Sequence, residues 1–290
     1  MKLLVKFNLL FVLAMALGLG VSGWISREML QANAREEVLD TARLMMEGAL
    51  AVRGYTSGQI AKLLQTQMKY EFLPQSVPSY SAVEVLGSLQ SKYPDYSYKE
   101  ATLNPTNPRD RAVGWEVDIV EGFRSNAERK ETVGVRESPT GALLYVARPL
   151  RITNAACLQC HSSIQAAPKT MVDRYGTANG FDWRFNDVIG AQVVSVPMAL
   201  PLARAQASFR GFMAAMLGVF VAVGIVLNLM IWLVIVRPVN QLAMLADRVS
   251  RGDLDAPEYG IGRKDEIGVL AASFGRMRTS VVQAMRMLEA

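Results

Sequence analysis

Two apolar runs set the terms on which this chain can fold. Phe7 to Ile25 and Phe212 to Val236 carry no charged residue. The first, at 1.5 Å of helical rise per residue, comes to just under about 30 Å, the thickness of bilayer hydrocarbon. The second is longer and spans with some tilt. The small-x-small triplet Ala14-Met15-Ala16 lies inside the first run and not after it. The run therefore reads as an uncleaved signal anchor, where a removed signal peptide would be shorter. Lys2 and Lys6, with no acid nearby, keep the N-terminus in the cytoplasm. Arg204 and Arg210 oppose Arg237 across the second run, so charge alone does not orient it. Asn228 is the one strongly polar residue of that run. It reads either as a locally bonded side chain or as a helix–helix hydrogen bond in a dimer.

Two spans divide the 290 residues into four expected parts. Residues 1–26 form the anchor, 27–209 an external domain, 210–236 the second span and 237–290 a cytoplasmic segment. The net charge is +5, but Lys and Arg are scattered and do not interleave with aromatics. A nucleic-acid groove is excluded on that ground. The chain has two Cys and one His, and they stand together as Cys157-Leu158-Gln159-Cys160-His161. That count excludes a disulfide framework and leaves too few ligands for a four-coordinate zinc.

The spacing Cys-x-x-Cys-His is that of covalent c-type haem attachment. Two thiols one turn apart each add to a vinyl group of the porphyrin, and the neighbouring imidazole ligates the iron. Cys157, Cys160 and His161 are thus expected to hold one covalent haem c outside the cytoplasm. A redox thiol pair would want the motif to open a helix in a βαβ context, whereas here it follows Arg148-Pro149 in an Ala- and Pro-containing loop. With no second His, a thioether is the expected sixth ligand. Met45 and Met46 are the first candidates; Met68, Met171 and Met198 are more distant ones. An open position, suited to gas binding, is the rival. Arg53 is a candidate partner for a haem propionate.

Periodicity predicts an α+β external domain. Glu28 to Ser57 continues the first span as a helix, with Leu30, Ala34, Val38, Ala42, Met45 and Ala49 on one stripe. Gly54, Ser57 and Gly58 weaken its end. A short helix through Ser91 follows Pro74 and Pro78, and Ser81 can cap it. Asn104-Pro105-Thr106-Asn107-Pro108 is turn-rich, and Ala112, Trp115, Ile119 and Phe123 mark another amphipathic helix. Strands are expected at 131–135, 142–148 and 188–196, the last as a buried central strand ending at Pro197.

Beyond Arg237-Pro238, a stripe of Val239, Leu242, Ala246 and Val249 gives way at Arg251-Gly252-Asp253 to a Gly-containing connector reaching Lys264. Ile267, Leu270, Phe274, Met277, Val281, Ala284 and Leu288 then alternate steps of three and four, a coiled-coil seam. Two such helices from each of two chains make a parallel four-helix bundle.

Residues 237–290 resemble the HAMP linker of bacterial receptors. The match rests on Pro238, Gly252-Asp253-Leu254, Asp265-Glu266-Ile267-Gly268, Leu270, Phe274 and Met277; Gly275 departs from it. The external part resembles the PAS-like haem c sensor domains found ahead of such linkers. It does so through Asn104-Pro105, Asn107-Pro108, Trp115-Glu116, Tyr145, Arg148-Pro149, Cys157 to His161, Pro168, Tyr175-Gly176, Gly180-Phe181-Asp182-Trp183 and Gly190 to Pro197. The resemblance implies a PAS-like antiparallel sheet with flanking helices, the haem in a side pocket, and redox or small-ligand sensing.

The expectation is a two-pass receptor of the bacterial inner membrane, with both termini cytoplasmic and the haem domain periplasmic. It is expected to be a homodimer through the HAMP segment and not an enzyme. Without a distal His, peroxidase chemistry lacks acid–base support. No kinase, methyl-accepting or cyclase segment is legible before Ala290, so output is expected through a cytoplasmic partner such as a kinase or chemoreceptor-type protein. The alternative is a membrane-anchored c-type cytochrome in electron transfer, which leaves the HAMP segment without a purpose.

Overall fold

The computed structural model describes residues 3–253, 257 and 264–289. Lys2, Leu254 and most of the Gly-containing connector lie outside the described residues, as does the side chain of Leu288. The chain divides into two compact units, Arg27–Ser208 and Met1–Ser26 with Phe209–Ala290.

In the first unit the expected α+β architecture is present. Helix α1, Leu3–Tyr55, contributes its second half. Its end loosens into a π-helical turn, Thr56–Ile60, and the short α2, Ala61–Leu63, at the Gly- and Ser-containing stretch expected to weaken it. Pro78 occupies the first turn of α3, Pro78–Gln90, where its missing N–H costs nothing. Strand β1, Ser97–Thr102, was not legible as a strand; α4, Gly114–Ser125, begins two residues after Ala112. Glu116 Oε2 accepts from the Val113 backbone N–H at 2.9 Å, closing the first turn of α4.

Strands β2, Thr132–Ser138, and β3, Gly141–Arg151, form a hairpin. Strand β4, Val188–Pro197, returns between β3 and β1, giving the antiparallel order β1-β4-β3-β2. Pro149 is tolerated in β3 because β2 pairs no further than Ala147 on that side. Every residue of β4 from Val188 to Val196 is buried, as expected of a strand covered on both faces. On one face Val38, Ala42, Met46 and Ala49 of α1 and Ala82 and Leu86 of α3 pack on Leu144, Val146, Val194 and Val196. On the other, Ile119, Val120 and Phe123 of α4 pack on Ala101, Ala147, Ala191 and Val193.

The chain between β3 and β4 holds two short helices, α5, Leu158–His161, and α6, Lys169–Tyr175. Helix α7, Ala199–Ile231, follows β4. Among the described residues, it and α1 are the two helices long and apolar enough to cross a membrane.

The second unit pairs the two apolar runs antiparallel. Phe11 lies against Gly224, Phe220 against Gly18 and Met213 against Gly23. Asn228 bonds both locally and across to the other apolar helix of its own chain. Its amide exchanges two hydrogen bonds with Asn8, at 2.7 and 2.8 Å, and also donates to the Gly224 carbonyl. A π-helical turn, Trp232–Val236, joins α7 to α8, Arg237–Ser250. Pro238 accounts for it: proline lacks the N–H that would bond the Val234 carbonyl, and its ring clashes with that carbonyl in a regular helix. Gly252, at φ +93°, ends α8, and Arg248 pairs with Asp253 beyond the turn. Asp265 caps α9, Glu266–Glu289, by accepting from the Gly268 N–H at 2.9 Å.

Candidate functional site

The motif sits on the loop that leaves β3. Ile152 N–H donates to the Asp187 carbonyl at 3.0 Å, and Asn186 N–H returns a bond to Ile152 at 2.9 Å, so both ends of the excursion are tied beside β4. The Asn154 side chain accepts from the Ala156 N–H and starts a 3-10 turn, Ala155–Cys157, that runs directly into α5. The motif therefore opens a short helix, where the sequence suggested irregular loop. One helical turn brings positions i, i+3 and i+4 to one side, which is how Cys157, Cys160 and His161 converge.

His161 is held on several sides. Its Nδ1 lies 2.7 Å from the Gly180 carbonyl. A carbonyl only accepts, so Nδ1 carries the proton and Nε2 keeps its lone pair. The ring stacks on Trp183, with centroids 3.9 Å apart and planes 15° from parallel, and Trp183 N–H donates to the His161 carbonyl. Burial pushes the imidazole pKa down, against the bond to Gly180, and so favours the neutral form that ligates metal.

Gly180 is fixed in turn by the turn-rich segment after β1. Asn104 Oδ1 accepts from the Gly180 N–H at 3.2 Å, and its amide donates to the Phe181 carbonyl at 3.3 Å. Gly180 adopts φ +86°, and a Cβ there would strike Thr106. Asn104, Thr106 and Gly180 thus form a shell around His161 that spacing did not reveal. Their only trace in the sequence was the Asn-Pro pair and the Gly-Phe-Asp-Trp string.

Cys157 and Cys160 are free, half-buried thiols. Burial raises the pKa of both; Arg53 opposes it at Cys157. Cys160 packs into an apolar cluster with buried Phe72, Met171 and Phe181, and with half-buried Met68 and Tyr175. The Met68 sulfur accepts from Leu73 N–H at 3.1 Å and Ser76 Oγ at 3.3 Å. Met45 and Met46 lie elsewhere. Met46 is fully buried between α1 and the sheet, Met45 packs at the edge of that same core, and Met198 belongs to it too. The structure therefore brings Met68 and Met171, and not the two methionines of α1, into the cluster with Cys160.

Arg53 already has a partner. Its Nη1 is 2.5 Å from both oxygens of Glu100, which is 1% exposed. Glu100 also accepts from the Tyr98 hydroxyl at 2.8 Å, which in turn accepts from Gln192. Burial would lower the Arg53 pKa, but Glu100 outweighs it and the net direction is up; Cys157 adds in the same sense, so the pair stands within electrostatic reach of the motif. Burial and Glu100 together push the Tyr98 phenol well above its usual range.

The donor set fits iron porphyrin. There is one neutral imidazole whose Nε2 keeps its lone pair, two thiols one turn apart, an apolar wall beside Cys160, and a cation within electrostatic reach of Cys157. An α+β domain of this kind, joined to two apolar helices and a paired-helix segment, has the architecture of a membrane receptor.

Comparison with known proteins agrees. Residues 31–197, more than half of the chain, match the Tll0287-like family, and the chain belongs to it. Residues 230–283 match the HAMP domain. Proteins named heme sensor protein HssS, from Staphylococcus aureus strains JH9 and Newman, are 33% identical over 94 residues, 32% of this chain and 20% of theirs. The chain thus matches about a fifth of the length of these relatives. Among solved structures, the cyanobacterial heme-protein Tll0287 aligns with 56% of this chain and 95% of its own, at 15% identity and a TM-score of 0.45.

Proposed function

We propose that the protein is a haem sensor of the bacterial inner membrane that passes its signal through the HAMP domain. One haem c is held by thioethers from Cys157 and Cys160, with His161 Nε2 on the iron. The observation that carries this reading is the bond from His161 Nδ1 to the Gly180 carbonyl, which fixes the tautomer an iron ligand needs. Bound haem supplies a centre that changes oxidation state or takes up a small ligand. Asn104 and Gly180 orient the imidazole, and Trp183 covers it. Phe72, Phe181 and Met171 keep water from the Cys160 side. A thioether added to the haem's ligand set would come from Met68 or Met171, which cluster with Cys160, ahead of Met45 and Met46 in the α1 core.

The haem domain lies outside and both termini inside, in keeping with Lys2 and Lys6 and with the compartment of c-type attachment. Val239, Leu270, Met277 and Val281 of the HAMP helices are 38 to 56% exposed in the single chain. Burying that seam takes a second copy, so the receptor works as a homodimer. A shift at the haem is transmitted to the HAMP helices, whose two packings lie close in energy, and is read by a cytoplasmic partner; the chain itself is not an enzyme. Electron transfer alone would leave the HAMP match unexplained.

The test is protein made with c-type maturation. A mass increase of one haem, lost in Cys157→Ala with Cys160→Ala, and a low-spin spectrum abolished by His161→Ala are expected. A colourless chain of unmodified mass refutes the reading.

A further inference from the structure

A cavity of about 270 Å³ opens beside β1, among β1, β4, Arg136 of β2, the first turn of α4, the Arg109–Asp110 turn, and Val83 and Gln90 of α3. It shares no residue with the motif or with the cluster around Cys160. Its two acids are already matched. Glu116 Oε2 lies 2.7 Å from Lys99 Nζ, and Asp110 Oδ1 lies 3.5 Å from Arg109 Nε.

Arg136 is different. Its guanidinium lies over the Trp115 ring, 4.7 Å from the centroid. Its Nε is buried without a hydrogen-bond acceptor, and among the described residues it makes no ion pair. A charged group with a buried donor left unmade is costly, so an acceptor that reaches this guanidinium from the cavity it lines is favoured. Nearby, Ser97 and Ser195 stand opposite each other in the β1–β4 register and present two hydroxyls to the same space.

We propose that this cavity binds a small organic carboxylate, its anionic group on Arg136 and its carbon part against Trp115 and Val193. A single unpaired cation calls for a single negative charge, because Glu116 and Asp110 would repel a more highly charged anion. The planar guanidinium matches a carboxylate in shape. The volume lies just below the about 300–1,000 Å³ of drug-sized sites, which limits the ligand to a small molecule. Arg136 and Trp115 stand on the α4 face, but Tyr98, which bonds Glu100 of the Arg53–Glu100 pair, also lines the cavity, so an occupant would sit beside the network that stands within electrostatic reach of Cys157.

The experiment titrates the full chain in nanodiscs with acetate, propionate and benzoate, and with acetamide and benzamide as neutral controls, by calorimetry and thermal shift. Saturable binding of at least one carboxylate, on the order of millimolar or tighter, with neither amide bound, is the expected result. Arg136→Gln then weakens binding at least about tenfold. Ser97→Tyr, a strand-favouring change at a half-buried position, fills the cavity and abolishes binding. Should Arg136→Gln not fold, Ser97→Tyr and the amide controls still decide. No saturation by any of the three carboxylates, equal binding of the amides, or binding indifferent to the variants that fold overturns the proposal. Loss of haem in Cys157→Ala with Cys160→Ala leaves every outcome unchanged.

Discussion

The core beneath α1 and the cluster around Cys160 are built by opposite means. The first joins twelve buried residues, nearly all aliphatic, eleven of them on two helices and three strands and the twelfth, Met198, just after β4. The second has three buried residues, Phe72, Met171 and Phe181, drawn from loops and the short α6. What holds the second in place is polar and backbone-directed: Asn104 on Gly180 and Phe181, Gly180 on His161, and Thr170 on the Met68 carbonyl. Packing area stabilises the domain, and point-to-point bonds aim the site. The two regions should therefore answer differently to substitution.

The largest effect is expected where a charge enters the packed core. Arg53→Met leaves the Glu100 carboxylate buried without its cation and should cost about 3–5 kcal/mol in denaturant unfolding. A loss below about 1 kcal/mol would show that solvent reaches Glu100. Next, Met46→Ala should cost about 2–5 kcal/mol and leave the haem spectrum unchanged, because its side chain fills the core. Met68→Ala, half-buried on a loop, should cost less than that and change the spectrum instead. The reverse pair of outcomes would place the iron against α1 and undo the contrast drawn above. Gly180→Ala, at φ +86° and facing Thr106, should cost about 1–3 kcal/mol and disturb the low-spin spectrum by turning the His161 ring.

The smallest effect concerns pH. Burial raises Asp110 to about 6, against the pull of the Arg109 guanidinium, with Glu100 and Glu84 adding to the rise and Lys99 opposing it. A carboxyl whose folded pKa is raised binds its proton more tightly in the folded state. Its stabilising contribution is therefore complete below its ordinary value of 3.8 and is lost as pH rises through about 6. The melting temperature should fall over that interval by the equivalent of about 1–2 kcal/mol, allowing for partial exposure. Asp110→Asn should flatten that fall; an unchanged slope would assign the effect to another group.

Much of the packed core was legible in the sequence, because periodicity reports which face is apolar. The stripe Ala34, Val38, Ala42 and Ala49 lies buried as its spacing required, and β4 was recognisable from its unbroken apolar run. Strand β1 was not. Ser97-Tyr98-Lys99-Glu100-Ala101-Thr102 alternates in no hydrophobic sense, and Glu100 is buried only because Arg53 arrives from 47 residues earlier. The three motif residues were legible from local spacing alone. Their supports were not, since the bond from His161 to Gly180 spans 19 residues and Asn104 reaches across 76. Met45 and Met46 lie on a continuous helix, whereas Met68 reaches the cluster with Cys160 through a loop whose course periodicity does not report.

The paired amides of Asn8 and Asn228 have a consequence for how the apolar helices can move. All four of their N–H donors are used, two across the pair and two on the Leu4 and Gly224 carbonyls of their own helices. Hydrocarbon offers no water to replace a broken cross-helix bond. Sliding one helix past the other by about 1.5 Å, a single residue, would strand both amides at once. The pair thus acts as a detent: small tilts and rotations that keep the amides in touch cost little, while axial slippage meets a step.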